Sequence, residues 1–369
     1  MPKTLTMKEV AQTLGADLGG DGSVVVTRLA HPADVRSVRD LVLAMDPALM
    51  PLLADTAIEA VIVPKGADVP SSIKAWIEVG RSRVALAQLT RLFEEPVEVP
   101  EGIHPTAVIE EGAYIAPDVR IGAFSYICAG AEVGVSSVIH PQVYIGPCAS
   151  IGAGSLIYAG ARIGARVKIG ARAIVHFNAS IGADGFSFVT PQTSSVEAAR
   201  ETGFVGGAKN LELMRIASLG AVEIGDDVEI GANTSIDRGT IVSTRIGSGT
   251  KIDNQVQVGH NVVIGENCMI CGRVGIAGSA VIGNRVVLGG AVGVADHVRI
   301  GDDTVAMAMS GIAGNIAPRS LVGGAPAKPR KKIIEDMRAL HRVKPLAEKV
   351  DMLTKRLEAL EGKKSGRKN

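Results

Sequence analysis

Aliphatic residues recur every sixth position through most of this chain. Stepping by six from Ile103 meets Ile109, Ile115, Ile121, Ile127, Val133, Ile139, Ile145, Ile151, Ile157, Ile163, Ile169, Val175 and Ile181. Four residues after each comes a small or β-branched residue, as at Ala107, Ala113, Val119, Ser125 and Ala131. The beat returns at Ile224, Ile230, Ile236 and Val242, slips by two, and runs from Ile246 through Ile252, Val258, Ile264, Ile270, Ile276, Ile282, Leu288 and Val294 to Ile300. A period of six fits neither a helix of 3.6 residues per turn nor an alternating strand. It fits a solenoid of short flat sides, each turning one aliphatic and one small residue inward. Three sides close an 18-residue coil, and coils stack at the strand spacing of about 4.8 Å. Hexapeptide repeats of this kind predict a parallel β-helix. Its 28 aliphatic positions, at about 1.5–3 kcal/mol of burial each, supply ample drive before entropy is subtracted.

The flanks do not share the beat. Residues 1–100 predict a small α/β domain, with a helix over Met7–Leu14, a strand at VVVT (24–27), a helical stretch near Asp46–Asp55 and a strand at AVIVP (60–64); Pro96, Pro100 and Pro105 mark its boundary. The β-helix is expected over 101–322. Residues 183–221 interrupt it, and an insertion of that length must leave the body as a loop, where function often resides. After GGAPAKP (323–329) comes a helical tail over 323–369. There Leu346, Val350, Leu353, Leu357 and Leu360 make a heptad seam, and Pro345 is expected to split the tail into two helices.

Composition narrows the function classes. Aromatics are 3% of the 369 residues while hydrophobic residues are 46%, and the net charge is +1. There is no 18-residue apolar run, so an integral membrane protein is not expected. The N-terminus lacks the apolar core of a secretory signal, which points to the cytoplasm. Residues 328–369 hold 14 Lys and Arg against 6 Asp and Glu. This basic tail lacks the aromatics that would stack nucleic acid, which leaves a solvated helical face or a docking surface for an acidic protein. Cys268 and Cys271 form a CxxC, but no second pair stands nearby, and small residues on a scaffold account for them.

Against this plain background, IDNQVQVGHNVVIG (252–265) is dense in polar groups. His260 falls two residues after the inward Val258 and should point outward; one coil on, its place is taken by Gly278. An imidazole can act as a general base near neutral pH, and a bare glycine N–H can stabilise an oxyanion. The pair suits acyl transfer from a thioester. Asp237 and Asp253 are candidates to orient the imidazole. His297, 37 residues beyond His260, could face the same cleft or be a surface histidine. A three-histidine zinc site lacks its third ligand.

The order of α/β domain, hexapeptide coils, ADGF loop (183–186), SIDRG (235–239), KIDNQVQVGHNVVIG (251–265), GIAGS (275–279), GGAPAKP and helical tail resembles the UDP-3-O-acylglucosamine N-acyltransferase family of lipid A biosynthesis. The resemblance covers essentially the whole chain. It implies a homotrimer with a left-handed parallel β-helix. It also implies transfer of a 3-hydroxyacyl chain from acyl carrier protein to the 2-amino group of a UDP-3-O-acylglucosamine, with no cofactor of the enzyme's own. By motif, His260 matches the catalytic base, Gly278 the oxyanion amide and His297 a second active-site histidine. Asn254, Gln257 and Asn261 are substrate-binding candidates from the same segment. Where the family holds uracil in a segment like FMVNPKY, this chain has LAMDPAL (43–49), so Leu43, Asp46 and Leu49 stand in place of Phe, Asn and Tyr. Gly311, in MAMSGIAG (307–314), falls where the family limits acyl length. Another hexapeptide acyltransferase using acyl-coenzyme A or a different UDP-sugar, and a non-catalytic trimeric scaffold, are the alternatives.

Overall fold

The computed structural model describes residues 3–54, 56–95, 98–324 and 327–365, with side chains of the last helix as far as Glu358. The chain divides into two compact units, Met1–Glu98 and Val99–Asn369. The first is built on a five-stranded sheet in the order Leu18–Gly20, Ala75–Val79, Ala60–Pro64, Asp40–Leu43, Arg28–Ala30, parallel except for the Leu18–Gly20 edge. Helix α1 (Met7–Leu14) begins at a capping box between Thr6 and Glu9 and ends at Gly15 in the left-handed region, a start and stop that satisfy its terminal backbone groups. Helix α2 (Ser82–Phe93) buries Ala85 and Leu89 in the same core. The stretch expected to be helical from Asp46 is a 3-10 helix, Pro47–Leu53. Pro47 and Pro51 each remove an amide donor, which disfavours a regular α-helix. Asp55 lies outside the described residues.

The second unit is a parallel β-helix. Three parallel sheets of ten, ten and nine strands form its faces, and each coil adds one short strand to each face. Coils stack aliphatic on aliphatic, as in Ile127↔Ile145 and Val258↔Ile276. Ile121 through Ile181, and the column resuming at Ile224, line one continuous core; Ile103, at the open end, is half exposed. The small inward position tolerates a hydroxyl because a corner carbonyl accepts from it, as Gly265 does from Thr250 Oγ1 at 2.8 Å. Cys268 occupies the same column, its thiol donating to the Gly283 carbonyl at 3.1 Å. Burial pushes that thiol's pKa up, the opposite of what a thiolate chemistry requires.

The corners of the coils share one backbone conformation. The left-handed φ falls three residues after the inward aliphatic, where Gln142, Asn178, Asn233, Gln255, Asn261 and His297 all lie near +60°. The glycine that follows the aliphatic serves close approach instead. A Cβ on Gly146 would stand 2.8 Å from Ala165 N, and one on Gly259 would stand 2.9 Å from Gly278 N.

Two expectations are overturned. Val242 is not an inward position: it is 64% exposed, and Ile246 stacks between Ile224 and Ile264 in its stead. The four extra residues between Ile236 and Ile246 bulge outward, because only one aliphatic per side fits the core. The tail is a single helix, α4 (Arg330–Ser365), with Pro345 inside it. Proline deletes one interior hydrogen bond, but flanking Arg, Lys, Leu, Ala and Glu are strong helix formers that carry the helix through. Val343, Leu346, Val350, Leu353 and Leu357 are exposed along it; the side chain of Leu360 lies outside the described residues.

Candidate active site

His260 sits at a corner of the face built by Gln257–Val258, two residues past the strand and one before left-handed Asn261 (φ 60°). Asparagine tolerates this conformation better than most residues, and its side chain is put to use. Asn261 Nδ2 donates to the Val242 carbonyl at 3.1 Å, and Asn261 Oδ1 accepts from Thr240 N–H at 3.1 Å and Thr240 Oγ1 at 3.0 Å. A backbone N–H can only donate, so the atom facing it is the amide oxygen. His260 Nδ1 lies 3.0 Å from that same oxygen and must therefore carry the proton. The other ring nitrogen, Nε2, is left as an acceptor. The bulge that breaks the six-residue beat thus builds the brace that sets the tautomer of His260.

Gly278 stacks directly above. Ser279 N–H bonds the His260 carbonyl at 2.9 Å, and a Cβ added to Gly278 would lie 2.8 Å from both Cε1 and Nε2 of His260. Only glycine leaves the acceptor edge of the imidazole in place. The Gly278 N–H has no hydrogen-bond partner among the described residues. On the other flank the inserted segment returns: a Cβ on Gly185 would stand 2.6 Å from His260 Cβ, and Gly185 N–H is tied to Ser218 Oγ at 3.1 Å. The imidazole is held between two glycines from different parts of the chain.

Around it opens a cavity of about 580 Å³ lined by Asp184, Gly185, Phe186, Phe188, Arg215, Asp237, Gln257, His260 and Gly278. Asp184 pairs with Arg215 at 2.8 Å. Phe186 and Phe188 meet edge to face at 5.1 Å. Asp237 ends its strand inside this cavity, its Oδ2 accepting from Gln257 Nε2 at 3.1 Å. Burial raises its carboxyl pKa, and the Gln257 hydrogen bond and the nearby His260 offset only part of that. A second cavity, also about 580 Å³, shares Gln257, Ile276 and Ala277 with the first. It runs along the outside of the same face, where Gly275, Gly293 and Gly311 stack in register beyond Gln257. Three coil spacings make this groove about 14 Å long.

The structure brings together His260, Gly278, Asp237, Gln257 and Asn261, and places Gly311 at the far end of the groove. It does not bring the others. Asp253 follows the strand on a different face, where its Oδ1 accepts from Asn254 N–H at 2.7 Å; Asn261, not a carboxylate, holds His260 Nδ1. Asn254 caps the neighbouring coil, accepting from Ala232 N–H at 2.6 Å. His297 is exposed at a left-handed corner, its backbone N–H on the Gly278 carbonyl at 3.1 Å, and is not among the residues lining the His260 cavity. Neighbouring Asp296 is paired with Arg200 of helix α3 (Ser195–Thr202) at 2.9 Å. In the first unit, Leu43 and Leu49 are half-buried packing residues, and Asp46 caps the 3-10 helix through Ala48 N–H at 2.9 Å. Sequence reasoning missed Thr240, Gly185, Ser218, Phe186, Phe188 and Arg215. The slip in the beat and the long insertion were the signals that could have found them.

A repeat-built prism with a histidine braced by Asn261 and set beside a glycine whose amide is unbonded among the described residues, next to an apolar groove, defines a hexapeptide-repeat acyltransferase. Residues 243–278 match the bacterial transferase hexapeptide (six repeats) family. The chain is 44% identical over 278 residues to the UDP-3-O-acylglucosamine N-acyltransferase of Paracoccus denitrificans, covering 75% of this chain and 76% of the relative. It is 35% identical over 356 residues to that of Syntrophus aciditrophicus, covering 96% and 93%. The match to the Ruegeria pomeroyi enzyme of the same name is 43% over 226 residues, covering 61% of this chain and 62% of that relative. The chain belongs to the UDP-3-O-acylglucosamine N-acyltransferase family.

Proposed function

We propose that this protein transfers a 3-hydroxyacyl chain from acyl carrier protein to the 2-amino group of a UDP-3-O-acylglucosamine, in the cytoplasm, as a homotrimer. One observation carries the chemistry: the acceptor nitrogen of His260 lies beside Gly278, on the side where a Cβ would stand, and the Gly278 N–H has no partner among the described residues. The amine nitrogen attacks the thioester carbonyl carbon, and His260 Nε2 takes the proton the nitrogen sheds. The carbonyl oxygen gains negative charge opposite Gly278 N–H. When the intermediate collapses, the C–S bond breaks, the C–N bond remains, and the proton on His260 passes to the departing thiolate. The groove of Gly275, Gly293 and Gly311 takes an acyl chain, with Gly311 bounding its depth. By motif, Leu43, Asp46 and Leu49 are the candidates for contact with a uracil base. His297 contributes from the rim rather than at the reacting atoms.

The three faces support the trimer. The face of Val263–Ile264 turns out charged pairs such as Glu223–Arg245 at 3.1 Å, suited to water. The face of Lys251–Ile252 turns out Met269, Val287, Val305 and Leu321 in register, and the face of Gln257 is smooth with glycine. A contact between two different faces is heterologous and closes a ring under threefold rotation, which sets the glycine groove opposite a neighbour's apolar stripe. Sedimentation of the active protein is expected to give a trimer; a fully active monomer would rule this arrangement out.

The donor rests on the tail. Arg330 and Lys331 make no ion pair among the described residues, while Lys328 and Lys332 share Asp336. An exposed basic helix steers an acidic carrier mainly through association rate, in a manner screened by salt. Changing Arg330, Lys331 and Lys332 together to Glu is expected to raise KM for the carrier-protein thioester and leave the UDP-sugar KM nearly unchanged. An unmoved carrier KM at low salt would remove the tail from docking.

A further inference from the structure

Asp237 has a half-buried carboxylate that the protein itself does not neutralise. No Lys or Arg pairs with it among the described residues. The adjacent Arg238 turns away, its Nε to the Gly182 carbonyl at 3.0 Å and its terminal nitrogen to the Ala165 carbonyl at 2.8 Å. Arg215, the cation lining the same cavity, is taken by Asp184. Gln257 holds one carboxylate oxygen and so fixes the direction of the other, for which no partner exists among the described residues. Nor does Asp237 serve the imidazole as an orienting group, since His260 Nδ1 is committed to Asn261. Taking a carboxylate partly out of water without a partner is costly. Such a group facing a ligand cavity is complemented by a cation on the ligand.

We propose that Asp237 is the recognition group for the acceptor's amine, binding it as the ammonium ion and thereby selecting an amino sugar over a hydroxyl acceptor. This rests on the acceptor reading given above. The placement is consistent: Asp237, His260 and Gly278 line one cavity. The ammonium held at the free carboxylate oxygen releases one proton to solvent. The neutral amine so formed attacks beside His260, which takes the second proton, and beside the Gly278 amide. A 2-hydroxyl group in the same place brings no positive charge, and for it the desolvated carboxylate is a cost with little return. Strand pairing fixes the group, since Asp237 is in register with Ala183, where the inserted segment leaves the coils. Phe186 and Phe188 of that segment line the same cavity and give it an apolar wall.

The test compares Asp237→Asn, which keeps size and can still accept from Gln257, with the wild-type full-length protein on two ligands. One is the 2-amino acceptor, UDP-3-O-acylglucosamine; the other is its 2-hydroxy counterpart, UDP-3-O-acylglucose. Binding of each is measured by calorimetry, and kcat and KM are measured for the amine. Asp237→Asn is expected to weaken the amine ligand by about 10- to 100-fold, the loss of one charge-assisted hydrogen bond, and to leave the 2-hydroxy ligand within about twofold, inside the usual scatter of such contacts. Equal weakening of both ligands would make Asp237 structural and overturn the proposal. A fall in kcat with amine binding unmoved would place it behind the imidazole, with the same consequence. If the wild-type protein binds and turns over the 2-hydroxy ligand in preference to the amine, the acceptor reading itself fails, a result distinct from either.

Discussion

His260→Ala is expected to leave the protein folded and lower its turnover by about 10²–10⁴-fold, the usual worth of a positioned general base. The fold survives because His260 points away from the core: its inward neighbours Val258 and Val262 are fully buried, whereas the imidazole faces the cavity. Nothing else within that cavity replaces it. Asp237 already holds the Gln257 amide at 3.1 Å, and His297 does not line the space. The loss should appear in kcat, since the imidazole acts on a proton that moves only during reaction. A variant that keeps most of its activity would move the base elsewhere, with His297 the next residue to change.

Gly278→Ala is expected to cost about 10²-fold, the scale on which a displacement of about 1 Å at a reacting group acts. The substitution is clean in backbone terms, because Gly278 does not have the positive φ that would strain an alanine. It keeps the N–H. What changes is space: the methyl carbon would stand 2.8 Å from His260 Cε1 and Nε2, so the ring must tilt and its acceptor edge is covered. The effect should therefore depend on the ring being there. In a His260→Ala background, adding Gly278→Ala should cost little more, a non-additivity expected of groups that act as a unit. Full additivity, measured as kcat/KM in the double-mutant cycle, would mean that Gly278 acts on the substrate independently of His260.

The six-residue beat made the prism legible, because a position that must be filled by an aliphatic in every coil leaves a signal no turn can mimic. The same regularity exposed its own exceptions. His260 and Gly278 could be paired from spacing alone, since residues 18 apart stack one coil over another. What spacing could not give was the partner of His260. The orienting group is the next residue, Asn261, held by Thr240 and the Val242 carbonyl, and these sit on a bulge whose conformation is set by where extra residues are expelled. Asp253 looked equally placed in the sequence, but one side of a prism separates it from the imidazole, and a count of residues does not show which corner a side chain turns. The flank supplied by Gly185 and Ser218 was hidden for a related reason. Loop closure brings residue 218 beside residue 185, and no periodic pattern governs an insertion. Pro345 misled because a single lost hydrogen bond is a local cost, whereas helix continuity depends on the residues on both sides.

Amide formation at the sugar's 2-amino group is read from the product itself. The purified protein is incubated with a 3-hydroxyacyl carrier-protein thioester and UDP-3-O-acylglucosamine, and the sugar product is examined by mass spectrometry before and after mild alkali. A gain of one acyl group that survives alkali treatment, while the original 3-O-acyl ester is cleaved, is the predicted result. A newly added acyl group that alkali removes, or turnover only with acyl-coenzyme A, would contradict the account.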